Sequence, residues 1–294
     1  MIIWNNIKHN YNLNNAFSYF DGDYEFVKCD GILYLVSRVE NVKLFNNLYT
    51  FFKNNTFFYK MICNNFGKVV TYYNNDYYVL LVYEKRNSDI RSLICNYDNF
   101  KSLIRGRCNW RDSWLDRSDY IERYYKFIVG KYACIDESID YYYSMLELAI
   151  YYLRDCSYDS DLYIQHSYCK LDEFTFYNPC TVKLDVKERD FSNYLKYLFF
   201  SGMYEYVDVL NIIIENIDRY DFNFVIARLI YPDYYFELFD KLVCCDCDSE
   251  LDAIIEEVRG IALKVYEYEK YIISIYETVS LKKDIKKVDF FNLH

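Results

Sequence analysis

The chain has 294 residues, 53% hydrophobic and 27% charged, which gives enough apolar surface for one large or two modest packed domains and excludes a disordered polypeptide. A net charge of -10, with no Lys/Arg cluster interleaved with aromatics, leaves no surface for counterion release, so no nucleic acid partner is expected. No segment approaches the roughly 20 apolar residues that span a bilayer, and the start MIIWNNIKHNYNLNN lacks a signal-peptide layout, so no membrane association and a cytoplasmic location are expected.

In chain order, the first predicted element is a β-hairpin. Tyr24 to Lys28 and Ile32 to Val39 are extended apolar runs flanking Asp30-Gly31, a strong short-range turn signal. In NVKLFNNLYTFFKNN, Val42, Phe45, Leu48, Tyr49 and Phe52 recur every three or four residues, which predicts one helix. Three β-rich runs follow, Phe58 to Cys63, Lys68 to Tyr73 and Tyr77 to Tyr83, separated by NNFG and NND. The order ββαβββ implies a small antiparallel sheet carrying one helix.

After Glu84 the period changes. Ile139, Tyr142, Leu146, Ala149, Ile150 and Leu153 describe one helical face, and Leu251, Ile254, Ile255, Val258, Ala262 and Val265 describe another. Ser249 and Asp252 resemble a capping box before the latter, and Pro232 is expected to end a helix near Tyr231. With no repeat and no Gly/Ser/Pro-rich linker, the expected division is residues 1–83, sheet plus helix, and residues 84–294, mainly helical, joined around Val82 to Asn87.

The 37 Tyr and 22 Phe, beside abundant Asn, Ile and Lys, reflect an AT-rich coding bias more than selection for stacking platforms. The 11 Cys are odd in number and scattered, so reduced thiols are expected. Cys244 and Cys247 form a lone CxxC with only His166 and Cys169 as a loose second pair, so no metal site is predicted.

Three ordered segments carry a family resemblance: DESIDYYYSMLELAIYYL (136–153), NPCTVKLDVKERDFSNYLKYL (178–198) and VIARLIYPDYYFELFDKL (225–242). They resemble the bacterial spore-coat kinase-like proteins, in particular the YutH-type endospore coat-associated branch of the aminoglycoside phosphotransferase and choline kinase superfamily. The resemblance implies an α+β, two-lobed, protein-kinase-like fold and a role in sporulation, with a spore-coat location if the source sporulates.

It also implies where chemistry should sit. Active relatives carry HGDxxxxN; the matching stretch here is HSYCKLDE, which keeps His166 but puts Tyr168 at the acid/base Asp and Glu173 at the metal-binding Asn. A phenol with an ordinary pKa near ~10 is a poor base at neutral pH. Thr181 stands at the second metal-binding Asp, with Asp185 four residues on. The first-lobe lysine position falls near Ser37 or Arg38, leaving Arg38 as the candidate phosphate-binding residue, and neither GxGxxG nor GxxxxGKS occurs among seven glycines.

His166 is read as a structural brace, Asp190 as the cap of a helix from Phe191 to Phe200, and Arg189 as the partner of a loop carboxylate. His166, Tyr168, Glu173, Thr181, Asp185 and Asp190 thus form a vestigial site. The expected function is a catalytically degenerate, pseudokinase-like protein acting by binding other proteins, including those of a spore coat, with no catalytic residue, metal or cofactor. The alternative is an active small-molecule kinase using ATP and Mg, with Asp172, Glu173 and Asp185 as rearranged magnesium ligands and Asp172 or Asp185 as base.

Overall fold

A computed structural model describes residues 2–86, 101–154, 156, 159–167, 173–202, 205–244 and 248–287. Within it the chain divides into two compact units: Met1–Leu93 with Ile164–Leu184, and Ile94–Tyr163 with Asp185–His294.

The first unit is built on an antiparallel sheet. Its strands are β1 (Phe17–Asp21), β2 (Tyr24–Cys29), β3 (Ile32–Arg38), β4 (Lys60–Ile62), β5 (Val70–Tyr73) and β6 (Asp76–Tyr83). They lie in the order β1-β2-β3-β6-β4, with β5 also paired to β6. The predicted β2–β3 hairpin forms at Asp30 and Gly31, whose φ of 49° and 80° are the positive values that a tight hairpin turn demands. Strand β1 was not expected, although Asp21-Gly22-Asp23 turns it into β2, with Gly22 at φ 58°.

Register sorts the side chains into two faces, because paired residues share a face. On one, Val27, Tyr34, Tyr78 and Leu80 are buried beneath Trp4, Ile7 and Tyr11 of the amino-terminal segment, where helix α1 (Trp4–Ile7) lies. Glu25 fastens that segment: its carboxylate accepts hydrogen bonds from Ile3 N (2.8 Å) and Trp4 N (2.9 Å). The other face carries Phe26, Leu35, Val79 and Leu81.

The predicted helix is α2 (Val42–Asn54), capped by Asn41, whose Oδ1 accepts from Leu44 N at 2.9 Å. It buries Phe45 and Phe52, and Phe52 meets Phe58 edge-on at 4.9 Å.

The second unit is mainly helical, with α3 (Trp110–Ile128), α4 (Ala133–Asp136) and α5 (Ile139–Tyr152). A three-stranded sheet runs β7 (Lys101–Arg107), β8 (Asp159–His166), β9 (Val182–Asp185); the last residues of β8, from Ile164, and β9 as far as Leu184 belong to the first unit. In that unit also lies α6 (Glu173–Phe176). The second unit continues with α7 (Glu188–Ser201), α8 (Tyr206–Asn216), α9 (Phe222–Ile230), α10 (Asp233–Cys244), α11 (Asp248–Leu263) and α12 (Val265–Ser280). Helix α9, buried on all sides, packs against α7 and α5.

Pro232 falls between α9 and α10, and Tyr231 before it is extended, as a pre-proline residue prefers. The helical face read from Leu251 to Val265 belongs to two helices that break at Lys264. Helix α11 starts at Asp248, one residue before the expected cap; the side chain of Ser249 lies outside the described residues.

Candidate functional site

Strand β8 ends at His166, and the chain returns through α6 and a 3-10 turn, Pro179–Thr181, into β9. Residues 173–181 of this return are strapped to the sheet of the first unit. Phe174 lays its ring against Tyr24, Phe26 and Tyr83, with centroids 4.8, 5.4 and 5.4 Å away. The Thr175 hydroxyl bonds the Tyr24 hydroxyl at 3.0 Å.

Tyr177 O accepts from Tyr59 N at 2.9 Å, and Cys180 O accepts from Glu40 N at 3.2 Å. The buried Asn178 donates its Nδ2 to Ser37 Oγ at 2.8 Å and accepts at Oδ1 from Cys180 N. Burial pushes the Cys180 thiol up to about 12, with a Ser37 hydrogen bond pulling the other way, so it is a protonated core residue and no nucleophile.

His166 is 1% exposed and stacks on Phe176 at 4.9 Å. Its Nε2 lies 2.9 Å from Phe176 O; a carbonyl only accepts, so Nε2 carries the proton and donates. The ring braces the return. Thr181 is also buried, its hydroxyl donating toward Asn178 O (3.3 Å) and Thr175 O (3.4 Å) while its carbonyl accepts from Ser167 N (2.8 Å). These bonds give the hydroxyl a structural duty.

Tyr168, Cys169, Asp172 and Cys247 lie outside the described residues, and Glu173 is placed only by its backbone at the start of α6. Among the described residues no cluster of His, Cys, Asp and Glu could hold a metal ion. Arg38 points to solvent from the end of β3, its side chain 65% exposed, and pairs with Asp76 at 2.8 Å. Ser37, next to it, is the buried residue of the pair.

In the second unit, Asp185 ends β9. Its Oδ1 accepts from Val186 N, and its Oδ2 lies 3.3 Å from Arg189 Nη1, one helical turn away. Asp190 is not the cap of its helix. Helix α7 begins at Glu188 after Lys187, because Arg189 N already donates to Val186 O at 3.2 Å and the turn leaving β9 has helical curvature. Asp190 therefore sits in the first helical turn and is fully buried.

Helix α7 also buries Glu188, Arg189, Ser192, Asn193 and Lys196, a polar face that hydrophobic periodicity cannot reveal. Lys196 Nζ reaches Asp233 Oδ1 and Tyr231 O, each at 2.6 Å. Arg228 bonds the other Asp233 oxygen at 2.7 Å and donates its Nε to Asn193 Oδ1 at 3.3 Å. Tyr231 stacks on Trp114 at 4.4 Å. The Arg, first Tyr and Asp of VIARLIYPDYYF thus share one buried polar cluster with Lys196. Glu188 accepts from Asp221 N at 3.0 Å, and burial pushes its carboxyl up to about 7.

No protein-family profile and no curated protein sequence matches the chain. Solved structures do. An aminoglycoside phosphotransferase from Alicyclobacillus acidocaldarius superposes with a TM-score of 0.61 at 11% identity, covering 93% of this chain and 95% of that one. Spectinomycin phosphotransferase bound to ADP and spectinomycin gives 0.57 at 8% identity, covering 94% and 97%, and its AMP-bound form gives 0.53 at 9%, covering 96% and 98%. At such identities the likeness defines the fold: an α+β, kinase-like architecture of the aminoglycoside phosphotransferase kind.

Proposed function

We propose that this chain is a catalytically degenerate, kinase-like protein that acts by binding other proteins and does not transfer phosphate. Phosphoryl transfer needs a cation on the phosphates, a carboxylate for the acceptor hydroxyl and oxygen ligands for magnesium; in protein kinases the cation is a lysine on the third strand, and a glycine-rich loop covers the phosphates. The observation that carries this reading is the strap on the sheet. At the third strand stands Ser37, bonded to Asn178, and the face beside it is covered by Phe174.

The first turn of the sheet, Asp21-Gly22-Asp23, would present two exposed carboxylates to phosphates where a glycine-rich loop would present N–H groups. Arg38 is already matched by Asp76 and faces solvent. Thr181 offers a hydroxyl bound to backbone carbonyls in place of a metal-binding carboxylate. These residues do not fit a nucleotide with magnesium. By its sequence resemblance to the YutH-type proteins, the partner class is the protein layers of a bacterial spore coat, and otherwise cytoplasmic proteins.

The competing reading, an ATP-dependent small-molecule kinase, draws on the whole-length likeness to phosphotransferases. Calorimetry of the purified chain with ATP and magnesium, paired with thermal shift, decides between them. No heat and no shift are expected. Saturable binding followed by ATP consumption in the presence of an alcohol or aminoglycoside acceptor would overturn the proposal.

A further inference from the structure

Strand β1 ends the sheet of the first unit: β2 pairs with one of its sides, and among the described residues no strand pairs with the other. The strand is bare for an edge. Phe17, Tyr19 and Phe20 are 57%, 41% and 49% exposed. Phe17 and Tyr19 share one face with ring centroids 6.5 Å apart, and Phe20 stands on the other. Sheets ordinarily protect such an edge with lysine, proline or a bulge, and FSYFD has none of these.

The charges around the strand are sorted. Asp21 and Asp23 mark its carboxyl end, while Lys28 stands beside Phe17 at its amino end, one strand further in on the same face. Neither Asp21 nor Lys28 has an ion-pair partner among the described residues.

This pattern complements itself. In an antiparallel pair of β1 strands about a twofold axis at Tyr19, Phe17 faces Asp21 of the other copy and Ser18 faces its Phe20. Lys28 then lies about 10 Å, two strand spacings, from the other copy's Asp21, a gap that the two extended side chains span. The symmetry repeats the contact, so a single arrangement yields two ion pairs and a stacked aromatic row.

We propose that β1 is the interface of a homodimer in which two sheets join edge to edge through this pairing. Three half-exposed aromatics per copy and the strand backbones give a buried area on the order of 1,000 Å², below the standard size for a stable interface. Two chains of net charge -10 also repel each other. The dimer is therefore weak and concentration-dependent. It is independent of whether the protein binds nucleotide.

Sedimentation velocity of the full chain across a wide concentration range, at near-physiological ionic strength, tests this. A reversible monomer–dimer equilibrium is expected. Asp21→Lys and Lys28→Asp should each weaken it about tenfold or more by facing like charges, and the double exchange should restore it to within a few-fold. A chain that stays monomeric throughout would overturn the proposal. So would a dimer left intact by Tyr19→Lys in a variant whose circular dichroism shows it folded, or a double exchange that fails to restore association.

Discussion

Lys196 and Asp233 meet at 2.6 Å with side chains only 1% and 8% exposed, and Arg228 closes on the same carboxylate from the other side at 2.7 Å. Two buried cations therefore share this anion. Asp233 also lies next to Pro232 and begins α10, so together with Tyr231 O and Arg228 it ties the junction of α9 and α10 to α7.

Removing that anion takes a charged partner from two buried cations at once. Asp233→Ala should cost about 3–5 kcal/mol, read as a large fall in the denaturant midpoint. A loss below about 1 kcal/mol would mean that the cluster is hydrated or rearranges freely.

Glu188 gives a pH dependence with a definite sign. Its folded-state pKa, about 7, lies above the ordinary 4.5, so between those values the folded protein holds a proton that the unfolded chain has lost. The stabilisation from the neutral carboxyl is fully present below 4.5 and is lost as pH rises through about 7. At about 1.4 kcal/mol per pH unit this amounts to roughly 3 kcal/mol as an upper bound. Unfolding stabilities of wild type and Glu188→Gln should agree below about pH 4.5, separate progressively between there and about 7, and keep a constant offset above that, with the Gln variant the more stable. Parallel curves across the whole range would refute the assignment.

Phe174 is partly exposed yet touches three rings of the sheet. Phe174→Ala should cost about 2–3 kcal/mol, less than a fully buried phenylalanine. Amide exchange should quicken at Tyr59 and Cys180, whose backbones are hydrogen-bonded along the strap. Unchanged exchange there would show that the strap is held by its hydrogen bonds alone.

Glu25 receives two backbone donors from the amino-terminal segment. Glu25→Ala should cost about 2 kcal/mol, the range for hydrogen bonds to a charged acceptor. It should also raise the near-ultraviolet mobility of Trp4, which is 1% exposed. Retention of the Trp4 signal at wild-type stability would contradict the anchoring role.

The parts of the fold legible in the sequence were those written in periodicity and turn chemistry. Asp30-Gly31 marked its hairpin, the Phe45/Phe52 spacing marked α2, and Pro232 marked a helix end. Helix α3 escaped because Trp110, Trp114, Ile121 and Ile128 make a narrow stripe in a charged segment. The α11–α12 break escaped because Lys264, neither proline nor glycine, carries it. Around the candidate site, His166 could be read as a brace, but Asn178 could not be read as Ser37's partner. Nor could the buried charges of α7, since burial of a polar residue depends on partners that are distant in sequence, such as Asp233 for Lys196.

The first unit is discontinuous, and that affects how the protein is made. On a ribosome, Trp4, Ile7 and Tyr11 leave the exit tunnel long before Tyr78 and Leu80, which they cover. At about 5–20 residues per second the wait is several seconds or more. The strap follows later still, beyond residue 172, so the sheet, complete at Tyr83, must survive half-clothed while nearly a third of the polypeptide, residues 84–172, is translated. That interval, more than any weakness of the finished molecule, is when a chaperone would matter most.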